Sequence, residues 1–329
     1  MQQSDRQTSK SSTTWTLSDG HAGNVRQATA LTAALGLAAR DWTLTARAPW
    51  RWWAPRRLPG SRSAFGPDFA RALALGDAVL PGLAIGCGRQ AALATRLLRR
   101  HGVAAVQILA PRIATRHWDL VIAPEHDGLL GRNVINLLGS LHPVDDLWLA
   151  AARRDFPAFG ELPGPRTAVL VGGSSAHADF DHAVFETLFD RVVERVRNEG
   201  GSVLATASRR TPPAAAARMR ERLGRLPGIV WTSDTAGDRS NPYPGLLGWA
   251  DRIVCTADSV NMLSEACATG APVFAAGIER VGGRPRRFVD SLLGRGRLRP
   301  LDAAMAAFPV QPLRETARVA AEVAARLGL

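Results

Sequence analysis

Residues 251–276 read DRIVCTADSVNMLSEACATGAPVFAA. The apolar run ending at Thr256 is strand-like, and Asp258 or Ser259 is placed to cap a helix over 259–268. Gly270 ends that helix and Pro272 opens the next strand, PVFAA. This is one strand–helix–strand unit of a parallel sheet. Its loop offers chemistry as well as a turn. The helix start can receive a diphosphate. Ser264 and Glu265 stand one turn further on, where a carboxylate can accept hydrogen bonds from the two hydroxyls of a ribose. Packing accounts for Val260, Met262 and Leu263, but not for a Ser-Glu pair before a Gly turn.

The same rhythm extends in both directions. Upstream come TAVLVGG (167–173), a helix near 181–198, SVLATA (202–207), a helix near 213–224 and IVWT (229–232). An earlier series has an apolar run at Trp15–Leu17, a helix over 25–35, and strand-like runs near 42–45, 83–86, 103–109, 118–123 and 133–138, with a helix at 89–100. Between the two series, 141–165 turns polar and rich in Pro and Gly, and ELPGPR at 161–166 reads as a linker. Strands alternating with helices give an α/β class: two doubly wound Rossmann-like domains, expected to face each other across a cleft. The expected divisions are a disordered tail (1–13), an N-terminal domain (14–160), a C-terminal domain (161–305) and a closing amphipathic helix (306–329).

In such sheets ligands sit at the carboxyl ends of the strands. The loops there are therefore the candidate sites. Gly172-Gly173-Ser174-Ser175 suits a phosphate or a sugar. Asp179-Phe180-Asp181 has the D-x-D form of a metal-holding pair, but Asp at a helix start is ordinary capping and no metal is expected. Ser208-Arg209-Arg210-Thr211 precedes a Pro-started helix and reads as an anion site or as solvated surface arginine.

In the first series, SDGHAGN (18–24) is a Gly-containing loop before a helix, either a substrate-binding turn or a capped one. Gly86-Cys87-Gly88-Arg89-Gln90-Ala91 fits the dinucleotide fingerprint. It lacks the acidic residue a ribose would need, so it reads as a tight turn with Arg89 available to an anion. Pro124-Glu125-His126-Asp127 places a His between carboxylates at a strand end, a plausible acid/base site or a hydrogen-bonding loop residue.

The bulk numbers bound the rest. Net charge is +12 over 329 residues, and Lys10 is the one lysine, so the basic charge is arginine. That balance suits an anionic partner or reflects an arginine-rich proteome; no nucleic-acid motif is present, and nucleic acid is not an expected partner. Three cysteines without CxxC spacing fit a reducing compartment, and the polar start has no apolar signal core. A cytoplasmic location is expected. The segment Trp50-Arg51-Trp52-Trp53 suits the inner membrane face, with anionic lipid or a lipid-linked acceptor as partner; a packed Trp cluster is the plainer reading.

SDGHAGNVRQATALTAALGL, CGRQAA, APEHDGL, VGGSSAHADFD, SRRTP, NPYPGLLGWADRIVCTADSVNMLSEACATGAPV and RRFVDSLLGRGRLRPLD occur in this order over residues 14–305. The ordered set resembles the bacterial branch of the mitochondrial-fission elongated-mitochondria protein family, which is similar to GT-B glycosyltransferases. The resemblance implies a metal-independent transfer from a nucleotide-sugar substrate, with no separate cofactor. It places the donor on Gly172, Gly173, Ser174, Ser208, Arg209, Arg210, Asp258, Ser259, Ser264 and Glu265, and the base among Asp19, His21, His126 and Asp127. Asn24 departs from members with His there. It equally implies a second reading, a non-catalytic membrane-associated adaptor. Some members carry a nucleoside-diphosphate-sugar epimerase label, but Tyr243 is the one tyrosine, so the Tyr-x-x-x-Lys pair of short-chain epimerases is absent.

Overall fold

The computed structural model describes residues 13–232 and 241–329; most of the expected tail, 1–13, lies outside them. The chain forms two compact units, one of residues 1–143 with 315–329, the other of 144–314. Each is built on a six-stranded sheet whose strand pairs are all parallel.

The first sheet contains β1 (Thr14–Ser18), β2 (Ala39–Thr43), β3 (Leu83–Cys87), β4 (Ala104–Ile108), β5 (Leu120–Pro124) and β6 (Val134–Leu137). Their order is β2-β1-β3-β4-β5-β6. The inner strands are near-continuous apolar runs because both faces are covered. Trp15, Leu17, Phe69, Leu93, Leu97 and Leu98 form the core on one face. Leu31, Ile85, Ile108 and Ile122 form the other with Val319 and Val323 of the last helix, Thr316–Leu327. Each such side chain contributes roughly 1.5–3 kcal/mol on burial. The closing helix is thus core to the first unit. Glu315 accepts the Leu138 N–H at its entrance, and Thr316 Oγ1 donates to the His142 carbonyl at 2.8 Å.

The second sheet contains β7 (Arg166–Val171), β8 (Ser202–Ala207), β9 (Gly228–Trp231), β10 (Arg252–Thr256), β11 (Val273–Ala276) and β12 (Leu298–Pro300), in the order β12-β11-β10-β7-β8-β9. The helix His182–Glu199 shows how sequence sets local structure. The Asp181 carboxylate accepts the Val184 N–H at its start, Gly200 ends it at φ 66°, and Val184, Leu188, Val192 and Val196 form its buried stripe.

The expected linker differs. Asp146–Asp155 is a helix, capped by Asp145, and its Arg153 donates to the Gly248 carbonyl at 2.6 Å. The polar stretch after 143 is therefore an amphipathic element of the second unit, and 161–166 leads straight into β7.

Candidate functional site

Each strand order reverses at one point, between β1 and β3 in the first unit and between β7 and β10 in the second. There the two following loops leave in opposite directions and a crevice opens at the carboxyl edge. Asp19, His21, Gly172, Gly173, Ser174, Asp258 and Ser259 fall at these two points.

In the second unit the crevice is organised by Asp258, whose side chain is 0% exposed. Its Oδ1 accepts the Thr256 hydroxyl at 2.7 Å, and its Oδ2 accepts the Gly173 N–H at 3.2 Å and an Arg210 guanidinium N–H at 2.5 Å. Thr256 Oγ1 in turn accepts the Gly172 N–H at 2.7 Å. Arg210 also donates to the Gly173 carbonyl at 3.2 Å, and its side chain stays 44% exposed. Thr211 Oγ1 lies 2.7 Å from the Gly172 carbonyl and 3.1 Å from Ser208 Oγ. A buried carboxylate thus ties the loops after β7, β8 and β10 together and holds a guanidinium at their mouth.

This geometry corrects several expectations. Asp258 does not cap the following helix, Val260–Cys267; Ser259 does, accepting the Met262 N–H at 3.4 Å. Nor is Asp258 open to a ligand, since its lone pairs are spent inside the protein. Gly172 and Gly173 are small because neighbours fill their space. A Cβ on Gly172 would stand 2.1 Å from Asp258 Oδ1, and one on Gly173 would stand 2.1 Å from the Arg210 carbonyl oxygen. Ser264 and Glu265 lie on the buried side of the helix. Ser264 Oγ donates to the Val260 carbonyl at 2.7 Å, and Glu265, 2% exposed, accepts the Tyr243 hydroxyl at 2.5 Å. Leu263, Ser264, Glu265, Ala266 and Cys267 are all buried, so this end of the helix is enclosed on every side and these two are enclosed with it. At the far end of the same helix, buried Arg297 donates to the carbonyls of Cys267 and Thr269 at 2.9 and 2.8 Å, fixing the element from behind.

What faces outward is Ser174, Arg209 and Arg210, with Ser259 half-buried at the helix start. Ser174 Oγ sits within 3.1 Å of the Phe180 N–H. Asp181 caps its helix and pairs with Arg280 at 2.9 Å, so the D-x-D sequence serves the local fold. Among the described residues no group of three or more His, Cys, Asp or Glu is placed to hold a metal.

In the first unit the crevice is organised by Asp19. Its Oδ1 accepts the Asn24 amide at 2.9 Å, the His21 backbone N–H at 3.2 Å and His21 Nδ1 at 2.9 Å. Burial acts to raise the Asp19 carboxyl; the hydrogen bonds from Asn24 and His21, with the His21 charge, outweigh it and hold the group below its ordinary 3.8. The carboxylate is 14% exposed and the imidazole 77% exposed, which leaves Nε2 toward solvent. Asn24, whose Oδ1 lies 3.6 Å from Cys87 Sγ, links this loop to the one after β3. Burial, with the Asp19 charge adding to it, pushes the Cys87 thiol well above its usual range, so Cys87 is inert packing.

The fingerprint after β3 is also structural. A Cβ on Gly86 would stand 2.6 Å from Thr95 Cγ2, and one on Gly88 would stand 2.6 Å from Asn24 Nδ2. Arg89 donates to the Trp52 carbonyl at 3.2 Å. That contact docks the short helix Trp50–Trp53 on the loop. Trp50 packs on the core and donates to the Pro59 carbonyl at 3.0 Å, while Trp52 and Trp53 are 63% and 53% exposed and Arg51 is exposed. His126 and Asp127 are half-buried in a short turn, Glu125–Asp127, after β5. β4 separates β5 from β3, so this turn lies away from the Asp19 crevice. Thr256 and Tyr243 escaped the sequence reading as site residues, and Asn24 entered it only as part of the loop and as a departure from the family. Thr256 two residues before Asp258 was the available signal, since that spacing lets a hydroxyl at a strand end reach the following carboxylate.

The fold and these sites define an α/β protein of two doubly wound parallel sheets, with an aspartate organising the crevice at each reversal of strand order. The chain belongs to the family described as Mitochondrial fission ELM1, whose model matches residues 22–327. It is similar to the Mitochondrial fission protein ELM1 of Arabidopsis thaliana, 31% identical over 75% of this chain and 65% of that protein. The chain thus spans about two thirds of that relative's length. It is also similar to an uncharacterised protein of Rickettsia prowazekii, 24% identical over 79% of this chain and 82% of that one. Among solved structures it is similar to the UDP-N-acetylglucosamine 2-epimerase from Rickettsia bellii, at TM-score 0.48 and 12% identity, covering 96% of this chain and 94% of that one. A UDP-glucosyltransferase from Polygonum tinctorium is similar at TM-score 0.48 and 10% identity, covering 96% and 88%. Among the described residues no helix is long and apolar enough to cross a membrane.

Proposed function

We propose that the chain transfers a glycosyl group from a nucleotide-diphosphate donor to an acceptor hydroxyl. The observation that carries this reading is the Asp19–His21 pair. A carboxylate held ionised binds one imidazole nitrogen at 2.9 Å and leaves the other exposed at a strand-reversal crevice. Such a pair fixes the tautomer in which Nε2 accepts a proton. His21 Nε2 takes the proton from the acceptor hydroxyl as the sugar–phosphate bond breaks. Arg209, Arg210 and the N-terminus of Val260–Cys267 stabilise the departing diphosphate. Asp258 holds Arg210 in position, and Ser174 and Ser259 supply hydroxyls to the donor. His126 and Asp127 have no part in this assignment. The exposed Trp52 and Trp53, with Arg51, present the acceptor-side loop to an anionic surface, which suits a lipid-linked acceptor.

The test is donor turnover. Incubation with UDP-, GDP-, dTDP- and ADP-linked sugars releases nucleotide from at least one of them, and His21→Ala loses that release while binding the donor normally. Release unchanged in His21→Ala overturns the assignment of the base. Sedimentation with phosphatidylglycerol vesicles tests the surface: Trp52→Ser with Trp53→Ser abolishes co-sedimentation, and no binding by the unaltered chain rejects that part.

One observation favours a second reading. Ser264 and Glu265 are engaged inside the second unit, which leaves no side chain of that helix assigned to a ribose. A protein that keeps the fold and acts as a membrane-associated adaptor has this property. Under that reading no nucleotide-sugar binds, and Arg209→Ala leaves the biological phenotype intact.

A further inference from the structure

A cavity of about 1060 Å³ in the first unit is not at the strand-reversal crevice. It is lined by the first residues of β4 and β5, Ala104 and Leu120, by Asn133 just before β6, and by the end of the helix Arg89–Arg99. These place it on the amino-terminal edge of the sheet, opposite the loops of the candidate active site. Its wall is basic. Arg57, Arg96, Arg99, Arg100, Arg116 and Arg132 line it, with Arg326 from the last helix and His117, against one carboxylate, Asp119.

Asp119 is already used. It accepts Arg99 Nε at 3.0 Å and the Ala105 N–H at 2.8 Å. Arg326 pairs with Glu322. Among the described residues Arg57, Arg100, Arg116 and Arg132 have no ion-pair partner, and all four are exposed. Arg99, Arg100 and Arg326 stand at helix carboxyl ends, where the helix dipole favours a cation. That account does not reach Arg57 and Arg132, which come from loops, or Arg116, which sits in the single 3₁₀ turn Thr115–His117. Arg96 Nη2 donates to His117 Nε2 at 3.3 Å, a bond the ring accepts only while that nitrogen carries no proton. The charges of the cluster feel one another. Burial, then Arg96, Arg116 and Arg99, hold the His117 imidazole below its usual range. Burial, then Arg57, Arg100 and Arg116, lower Arg96 in the same way. Like charges gathered around a concavity repel in the empty protein and are relieved by a bound anion. Forked guanidinium donors match phosphate oxygens. The volume suits a ligand larger than one phosphate.

We infer that this cavity is a second, separate anion site that takes a compact, multiply phosphorylated group, either a free polyphosphate or the headgroup of a phosphorylated lipid. It is independent of the glycosyl-transfer reading.

The test is calorimetric titration of the full chain with inorganic tripolyphosphate. The unaltered protein binds at one site on this wall, and Arg100→Ala with Arg116→Ala weakens that site by about tenfold or more. Arg225→Ala, an exposed arginine of the second unit outside the donor loops, leaves it unchanged. Both removed side chains are exposed and unpaired, so the double variant keeps its fold, and its melting temperature without ligand verifies this. A second arm uses phosphatidylcholine vesicles with and without phosphatidylinositol 4-phosphate. Sedimentation that needs both the phosphorylated lipid and these arginines identifies a headgroup; loss of tripolyphosphate binding alone identifies a free ligand. Binding unchanged in the double variant overturns the inference. So does an unaltered chain that binds no tripolyphosphate, or that binds only RNA through these arginines.

Discussion

The two strand-reversal crevices are built on one plan and differ in what they present. In each, an aspartate in a loop after a central strand holds a second polar residue; Asp258 does so by crossing to the neighbouring loops, Asp19 within its own loop, where Asn24 makes the link to the next. Asp19 keeps 14% of its surface and holds an imidazole that is 77% exposed. Asp258 keeps none and holds a guanidinium that is 44% exposed. The partial opening leaves the first crevice a group that can take up a proton. Complete burial turns the second carboxylate into a fixed counter-charge and leaves a permanent cation at the mouth. Under the proposed function, the same architecture supplies a base in one unit and an anion receptor in the other.

The sharpest way to break the comparison is at the bases of the two crevices. His21→Ala lowers donor turnover by about a thousandfold, the scale of a lost general base. It leaves stability within about 0.5 kcal/mol because the ring is exposed. Steady-state kinetics and a melting curve separate the two readouts. Asp258→Ala does the reverse, mainly destabilising. It leaves the Gly173 N–H, the Thr256 hydroxyl and Arg210 without their acceptor, at a cost of roughly 3 kcal/mol in urea unfolding. A smaller effect sharpens the role of charge: Arg209→Ala, on the surface, weakens donor binding by about tenfold without moving the urea midpoint. The smallest is a pH effect. The Asp19 carboxyl is lower in the folded chain than its ordinary 3.8, so its contribution is complete above that value and lost as pH falls through the folded value. Asp19→Asn therefore flattens the acid limb of the stability curve below about pH 4. An unchanged acid limb sets the Asp19 hydrogen bonds at no net value.

The α/β class was legible because inner parallel strands are unbroken apolar runs: β3, β4, β7, β8 and β10 stand out in this way. The edge strand β12, three residues with two exposed, carries no such run. The helix Asp146–Asp155 was hidden by the Pro and Gly residues around it, although Asp145 before an amphipathic stretch was its signal. At the sites, residue types were readable and directions were not. Asp258 beside Ser259 looks like a cap in sequence, and only the close approach of β7 and β10 shows that Ser259 caps while Asp258 crosses to Gly173. Glu265 looked available, yet the helix is buried on every side from Leu263 to Cys267 and the Tyr243 hydroxyl donates to its carboxylate. The fingerprint at 86–91 is glycine-rich for packing against Thr95 and Asn24. The arginine-lined cavity was invisible because its lining comes from segments spread between residues 57 and 327.

The measurement that bears most directly on the account is a calorimetric titration of UDP-, GDP-, dTDP- and ADP-linked sugars into the full chain and into Arg209→Ala. The account predicts that one donor saturates a single site in the unaltered chain and binds the variant about tenfold more weakly. Saturable binding by none of the four, or equal binding by both proteins, contradicts it.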